Sequence, residues 1–251
     1  MIETRVIMGM PVIIEVVDPG VTAKDLDSVF AYFEYVDRKF STYKPDSEIS
    51  MINRQELALD QSSEDMQTIF ALAEQTRLET NGFFNIDREG RYDPSGIVKG
   101  WAILAAADLL RQAGFKNYYV DAGGDIQVSG QNAQGQDWRV GIQNPFNPME
   151  IVKVLALRDC GVATSGTYVR GQHIYDPTNR DQIVTGLVSL TVVGPDIYEA
   201  DRFATAAFAM GPAGINFIEQ LAGFEGYMID PHGLATYTSG FERYVSHDQY
   251  N

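Results

Sequence analysis

The chain predicts an α+β fold. Helical periodicities are interleaved with short apolar β runs that read as mostly antiparallel. Neither GxGxxG nor GxxxxGK[ST] occurs, which removes the dinucleotide-binding Rossmann and P-loop alternatives. The chain has 251 residues, 45% of them hydrophobic, enough to bury a sizeable core as one large domain or two small ones.

Thr4 to Val17 reads as two β runs broken at Gly9 and Pro11, ending in the turn Asp18-Pro19-Gly20. Thr22 caps an amphipathic helix over Ala23 to Lys39, with Leu26, Val29, Phe30, Phe33, Val36 and Phe40 at helical spacing. A polar loop, Phe40 to Asn53, follows and carries Tyr43, with Asp46 or Ser47 placed to cap a short helix. Ser62 or Ser63 opens a second helix, which closes near Thr80-Asn81-Gly82. After Phe83-Phe84-Asn85 and the charged segment Ile86 to Tyr92, a glycine-bracketed loop, Asp93 to Gly100, feeds a third helix over Trp101 to Gln112. Strands are expected at Asn117 to Val120, Ile126 to Ser129, Trp138 to Gln143, Ile151 to Leu157 and Leu187 to Val193. The Glu199 to Met210 helix, a further helix at Ala213 to Leu221 and two strands, Gly226 to Ile229 and Leu234 to Thr238, complete the pattern.

The formal charge of −15 argues against nucleic acid and anionic membrane as partners. A single cysteine, Cys160, allows no internal disulfide and no cysteine-based metal site. No apolar run reaches membrane-spanning length, and the first residues show no signal-peptide pattern, so a cytoplasmic location is expected.

Several residues carry possible chemistry. Asp201 and Thr205 stand four apart, on one face of an apolar helix. They could share a hard cation such as Mg²⁺. Alternatively, Asp201 is a first-turn carboxylate and Thr205 bonds back to a carbonyl. Lys99 could meet phosphate at a helix N-terminus or be solvated. Asp121-Ala122-Gly123-Gly124-Asp125 could let a ligand approach the backbone or form a tight turn. Tyr43 could stack on a flat ligand or cover a neighbouring surface. His173 suits a general base, or a neutral histidine bonded to backbone. Met8 alone reads as core filler.

FSTYKPDSEISMIN, GIVKGWA, DAGGD, ATSGTY, HIYDP and the Asp201/Thr205 helix, in that order, resemble the ApbE family, the Mg²⁺-dependent FAD:protein FMN transferases. The resemblance runs from Met8-Gly9 to about Met210. It implies one compact domain over residues 1–251, T-fold-like, built of two related halves with antiparallel sheets and packed helices. A flavin would lie in the cleft between the halves. The implied reaction cleaves the FAD pyrophosphate, releases AMP and leaves FMN on a threonine of an acceptor flavoprotein carrying a flavinylation motif. The resemblance also implies roles for particular residues. Asp201, Thr205 and the Gly96 carbonyl would be metal ligands. Met8, Tyr43, Phe83, Phe84, Asn85, Asp93, Lys99, Asp121, Gly123, Gly124, Asp125, His173 and Tyr175 would contact the cofactor. His173 and Asp201 would be catalytic, with His173 as the base. The chain departs from the family pattern at Met10 (usually Thr), Asn85 (usually Asp), Leu104 (usually Asp) and Asn179 (usually Gly), and its 86–92 segment is short. An FAD pyrophosphatase and a non-catalytic FAD-binding homologue are therefore alternative readings.

Overall fold

Alternation of apolar residues starts the fold at its N-terminus. Strands β1 (Ile2–Ile7) and β2 (Met10–Val16) pair antiparallel around Met8-Gly9. Both turn residues have positive φ, 57° and 72°. A tight two-residue hairpin turn demands that conformation twice, and only glycine adopts it freely. β2 buries Val12, Ile14 and Val16 and turns Ile13 and Glu15 to the opposite face. The computed structural model describes residues 1–167, 175–179 and 182–246.

Helix α1 (Ala23–Phe40) begins where the Asp25 carboxylate accepts the Thr22 N–H at 2.8 Å. α2 (Glu48–Asn53) is capped by Ser47, and α3 (Glu64–Glu79) by Ser63. The 86–92 segment holds the small hairpin β3 (Asp87–Arg88) and β4 (Arg91–Tyr92). Asn53 clasps it, donating to the Tyr92 carbonyl at 2.9 Å and accepting the Tyr92 N–H at 2.7 Å.

Helix α4 spans Ser95–Gln112, so it starts six residues earlier than the sequence suggested. Most of the stretch expected as a glycine-bracketed loop is helix, with Pro94 as its cap. Gly96 and Gly100 read as loop residues in isolation. They lie one helical turn apart and serve close packing against the next buried helix.

The sheet then grows through β5 (Tyr118–Ala122) and β6 (Asp125–Ser129). A separate hairpin follows, β7 (Trp138–Asn144) and β8 (Asn147–Leu157). Its connection is tighter than the expected Pro/Asn loop, and Pro148 falls inside β8. Next come β9 (Cys160–Gly166), the short pair β10 (Tyr175–Asp176) and β11 (Gln182–Ile183), and β12 (Ser189–Gly194). Helices α5 (Ile197–Ala209) and α6 (Gly214–Glu219) precede β13 (Glu225–Ile229) and β14 (Ala235–Tyr237).

Eight strands form one antiparallel sheet in the order β1-β2-β5-β6-β9-β12-β13-β14. One face buries Val12, Ile14, Val120, Leu190 and Val192 against α1, α4 and α5. The other buries Ile126, Val128, Val162 and Tyr227 beneath the β7–β8 hairpin and Phe241. The α+β expectation therefore holds, with one large antiparallel sheet, packed helices and no barrel. Among the described residues no helix is long and apolar enough to cross a membrane.

α5 lies directly on β9. A Cβ at Gly161 would stand 2.1 Å from the Ile197 nitrogen and 2.3 Å from the Asp196 carbonyl carbon. Both obstacles are backbone and cannot swing aside. Gly161→Ala is expected to destabilise the protein by about 3 kcal/mol, the upper range for overpacking a core. A urea midpoint equal to wild type would show that α5 can lift off β9.

Candidate functional site

α4 and α5 meet through small residues. A Cβ at Gly100 would lie 2.7 Å from Asp201 Cβ and 2.8 Å from the Ile197 carbonyl oxygen. One at Gly96 would lie 3.1 Å from Thr205 Cγ2 and 3.5 Å from its Oγ1. The two glycines thus face the two polar residues turn for turn. The Gly100 N–H donates to Asp201 Oδ2 at 2.8 Å. In a regular helix that N–H is directed at the carbonyl of Gly96. Asp201 and the Gly96 carbonyl therefore compete for one donor.

Asp201 is 4% exposed and lies beyond the first turn of α5, whose cap is Asp196. Its reading as a first-turn carboxylate does not hold. Thr205 is half-buried, and among the described residues its hydroxyl has no hydrogen-bond partner, so it does not bond back to a carbonyl either.

Lys99 sits between two carboxylates. Its ammonium pairs with Asp125 Oδ2 and lies 4.0 Å from Asp201 Oδ1. Asp125 Oδ1 accepts the Thr164 N–H at 3.0 Å. Burial pushes the Asp201 carboxyl up to about 7; Lys99 opposes that rise and the Asp125 charge adds to it. Among the described residues, one lysine faces both buried carboxylates. With the unpartnered Thr205 hydroxyl and the Gly96 carbonyl, the donors offered are all hard oxygens. Among the described residues no cluster of three or more His, Cys, Asp or Glu exists. This set fits a small hard divalent cation held by few protein ligands, with positions left for water or phosphate.

The Gly123-Gly124 turn, with φ of 64° and 94°, joins β5 to β6 beside this site. Its two aspartates diverge. Asp125 pairs with Ala122 and faces the helices, whereas Asp121 pairs with Ile126 and faces the other side of the sheet. Asp121 accepts the Gly124 N–H at 2.8 Å and the Tyr119 hydroxyl at 3.2 Å, and burial raises its pKa. Met10 covers the turn: a Cβ on Gly123 would meet its sulfur at 2.8 Å. Half-buried Met8, in the neighbouring β1–β2 turn, lies at the same end of the sheet.

Phe84 is 2% exposed, and a Cβ on Gly96 would lie 3.4 Å from its ring, so it forms a wall behind the seam. Phe83 is half-buried. Asn85 Oδ1 accepts the Asp87 N–H at 2.9 Å, and exposed Asp93 accepts the Ser95 N–H at 3.1 Å ahead of α4. Half-buried Tyr175 lies 4.4 Å beneath the Arg88 guanidinium. Tyr43 is 96% exposed, and none of these contacts includes it. His173 lies outside the described residues.

Two supporting residues escaped sequence reasoning. Gln127, on β6, accepts the Ile197 N–H at the start of α5 at 2.8 Å. Arg202 is buried beside Asp201, pairs with Glu199 and Glu79, and stacks 4.0 Å from the Phe203 ring centre. It ties α5 to the end of α3, which leads into Phe83-Phe84-Asn85. The available signal was a polar residue inside each apolar pattern, which marks a buried group in need of partners.

The sequence profile of the ApbE family matches residues 8–90 and 87–228. The FAD:protein FMN transferase of Vibrio cholerae serotype O1 is 37% identical over 128 residues, 47% of this chain and 38% of its own length. That of Escherichia coli K12 is 33% identical over 150 residues, 56% of this chain and 43% of its own length. The chain thus spans less than half the length of these curated relatives. The solved flavin transferase ApbE from Vibrio cholerae superposes with a TM-score of 0.84 at 25% identity, covering 97% of this chain and 98% of that one. The ApbE protein from Thermotoga maritima gives 0.85 at 20% identity, covering 98% and 99%, a likeness of fold. With the family profile spanning far more than half of its residues, the chain belongs to the ApbE family.

Proposed function

We propose that this chain is an FAD:protein FMN transferase that uses Mg²⁺, moves FMN from FAD to a threonine of an acceptor flavoprotein and releases AMP. The observation that carries this reading is the α4–α5 seam, where a buried carboxylate, a hydroxyl without a hydrogen-bond partner among the described residues and two helix glycines meet beside a lysine. The activity of the curated relatives agrees with it.

Asp201 and Thr205 would hold the cation by side-chain oxygens and Gly96 by its carbonyl. When bound, Mg²⁺ would neutralise the charge that develops on the pyrophosphate oxygens. Lys99, oriented by Asp125, supplies a fixed positive charge next to that position. Gly123 and Gly124 lack side chains, so a phosphate or ribose can approach the backbone closely. Phe83, Met8, Tyr43 and Tyr175 are apolar or aromatic surfaces suited to a flavin or adenine ring, and Asn85, Asp93 and Asp121 are polar groups suited to its edges. The bond between the FMN phosphorus and the bridging oxygen breaks, and AMP leaves with that oxygen. The acceptor threonine oxygen forms the new bond to phosphorus, and His173 takes its proton.

Purified protein incubated with FAD, with and without Mg²⁺, and then with a threonine-containing acceptor peptide, tests the reading. Mg²⁺-dependent AMP release with flavin fixed covalently to the peptide is expected. AMP without labelling would point to a pyrophosphatase, and FAD binding without AMP to a binding protein.

Asp201→Ala is expected to lower Mg²⁺-dependent AMP release by at least about a hundredfold, since a bound metal supplies several kcal/mol of charge stabilisation. Thr205→Val, which removes a neutral ligand, is expected to raise the Mg²⁺ requirement about tenfold with the fold intact. Undiminished turnover by the Asp201 variant would sink the metal assignment.

The raised Asp201 pKa gives a pH signature. An unfolded aspartate titrates near about 4, whereas the folded carboxyl titrates near about 7. The folded state holds the proton more tightly, so this contribution is full below the lower value and is lost as pH rises through the upper one. Chelator-treated protein should therefore lose stability across that window, and Asp201→Asn should flatten the decline. Urea midpoints at a series of pH values decide it; an unchanged slope in the variant would assign the titration to another group.

A further inference from the structure

Gln127 lies on β6, two residues from Asp125, and is 7% exposed. Its side chain points to the helix-covered face and is fully engaged. Oε1 accepts the N–H of Ile197, the first residue of α5, at 2.8 Å. Nε2 donates to the Val128 and Cys160 carbonyls, each at 3.1 Å. The first N–H groups of a helix have no partner inside the helix. Here one of them is met by a side chain of the strand that carries Asp125, and α5 carries Asp201 and Thr205 four and eight positions further on. Two carboxylates from different elements share Lys99, at contact distance for Asp125 and 4.0 Å for Asp201. Their separation depends on how α5 is seated against β6, and the Gln127 amide joins the two elements where α5 begins.

We propose that Gln127 is a positioning residue for the metal site: by fixing the start of α5 to β6, it sets the spacing of Asp201 and Thr205 relative to Asp125 and Lys99. This rests on the metal reading given above. A Gln127 without this role would contribute only stability. A Gln127 with it also governs cation affinity, because a site needing particular oxygens in a particular geometry weakens when its supporting shell loosens.

The test uses Mn²⁺ as the probe, titrated by electron paramagnetic resonance into wild type, Gln127→Met and Gln127→Glu without FAD. Met keeps the length and removes every hydrogen bond. Glu keeps the acceptor for the Ile197 N–H. The Met variant is expected to bind Mn²⁺ at least about tenfold more weakly, while the Glu variant stays within about threefold of wild type. In AMP-release assays the Met variant should show a raised Mg²⁺ activation constant with little change in KM for FAD. Ile229→Val, in the core on the far face of the sheet, serves as a variant of lowered stability and should bind Mn²⁺ as wild type does. If Gln127→Met does not fold, Gln127→Asn, one methylene shorter, takes its place with the same expectation. Wild-type affinity in a folded Met or Asn variant would overturn the positioning role. A wild-type protein that binds no Mn²⁺ would overturn the metal reading itself, and this proposal with it.

Discussion

Burying a carboxylate between two helices is the constraint from which the rest of this structure follows. Asp201 has almost no access to water. An ionised group so placed must find hydrogen bonds and positive charge within the protein or from a bound ion. The Gly100 amide supplies one hydrogen bond, and reaching it requires α4 and α5 to approach until a single methyl group at Gly100 would collide with Asp201 and the Ile197 carbonyl. Two glycines one turn apart on α4 make that approach possible. They forgo helix propensity, about 1 kcal/mol each, and the gain is a site instead of a better helix.

The sheet supplies the second half of the same arrangement. Asp125 reaches the helices because it stands opposite Ala122 in the β5–β6 hairpin, on the core-facing side. Asp121, one register position away, faces the other side. α5 is seated on β9 at Gly161 and held to β6 by Gln127. Arg202, itself buried, pairs with Glu79 and Glu199 and anchors the same helix to the end of α3. Helix α5 is thus fixed from three directions, and Asp201, between those anchors, lies 4.0 Å from Lys99.

Much of this was legible in the sequence where a local pattern carried it. The 3.6-residue period of α1 and the narrowing of the α2 cap to Asp46 or Ser47 and of the α3 cap to Ser62 or Ser63 need no tertiary information. The Asp201/Thr205 spacing gave one helix face. It could not tell an ion-binding pair from a capped and back-bonded one, because that depends on whether another helix approaches. Local reading failed where tertiary contact decided. The first turns of α4 looked like a loop because Gly96 and Gly100 are poor helix formers; only α5, about a hundred residues away, explains them. Asp121 and Asp125 flank the same two glycines, and the pleat sends them to opposite faces of the sheet. Gln127 and Arg202 are polar residues inside apolar patterns, and nothing local shows which other elements hold their partners.

Three of the departures from the family pattern lie outside the α4–α5 seam. Gly96, Lys99, Asp125, Asp201 and Thr205 form the seam and keep the residue types that the resemblance assigned. Met10 packs on the Gly123 turn, and Asn85 and the short 86–92 segment follow Phe84, whose ring packs behind the seam. That segment is not loosely made. Asn85 closes a local turn onto the Asp87 N–H, Asn53 clasps Tyr92 from both sides, and Arg88 stacks over Tyr175. The shortened segment is therefore a braced hairpin, with its own contacts in place of the missing residues. On the proposed function, a trimmed but braced edge beside an intact seam would alter how a flavin is gripped more than how a pyrophosphate is cleaved. Lys99, Asp201 and Thr205, which would meet phosphate and cation, stand on buried helices, whereas Met8, Tyr43 and Phe83, which would meet the ring, stand on turns or bends.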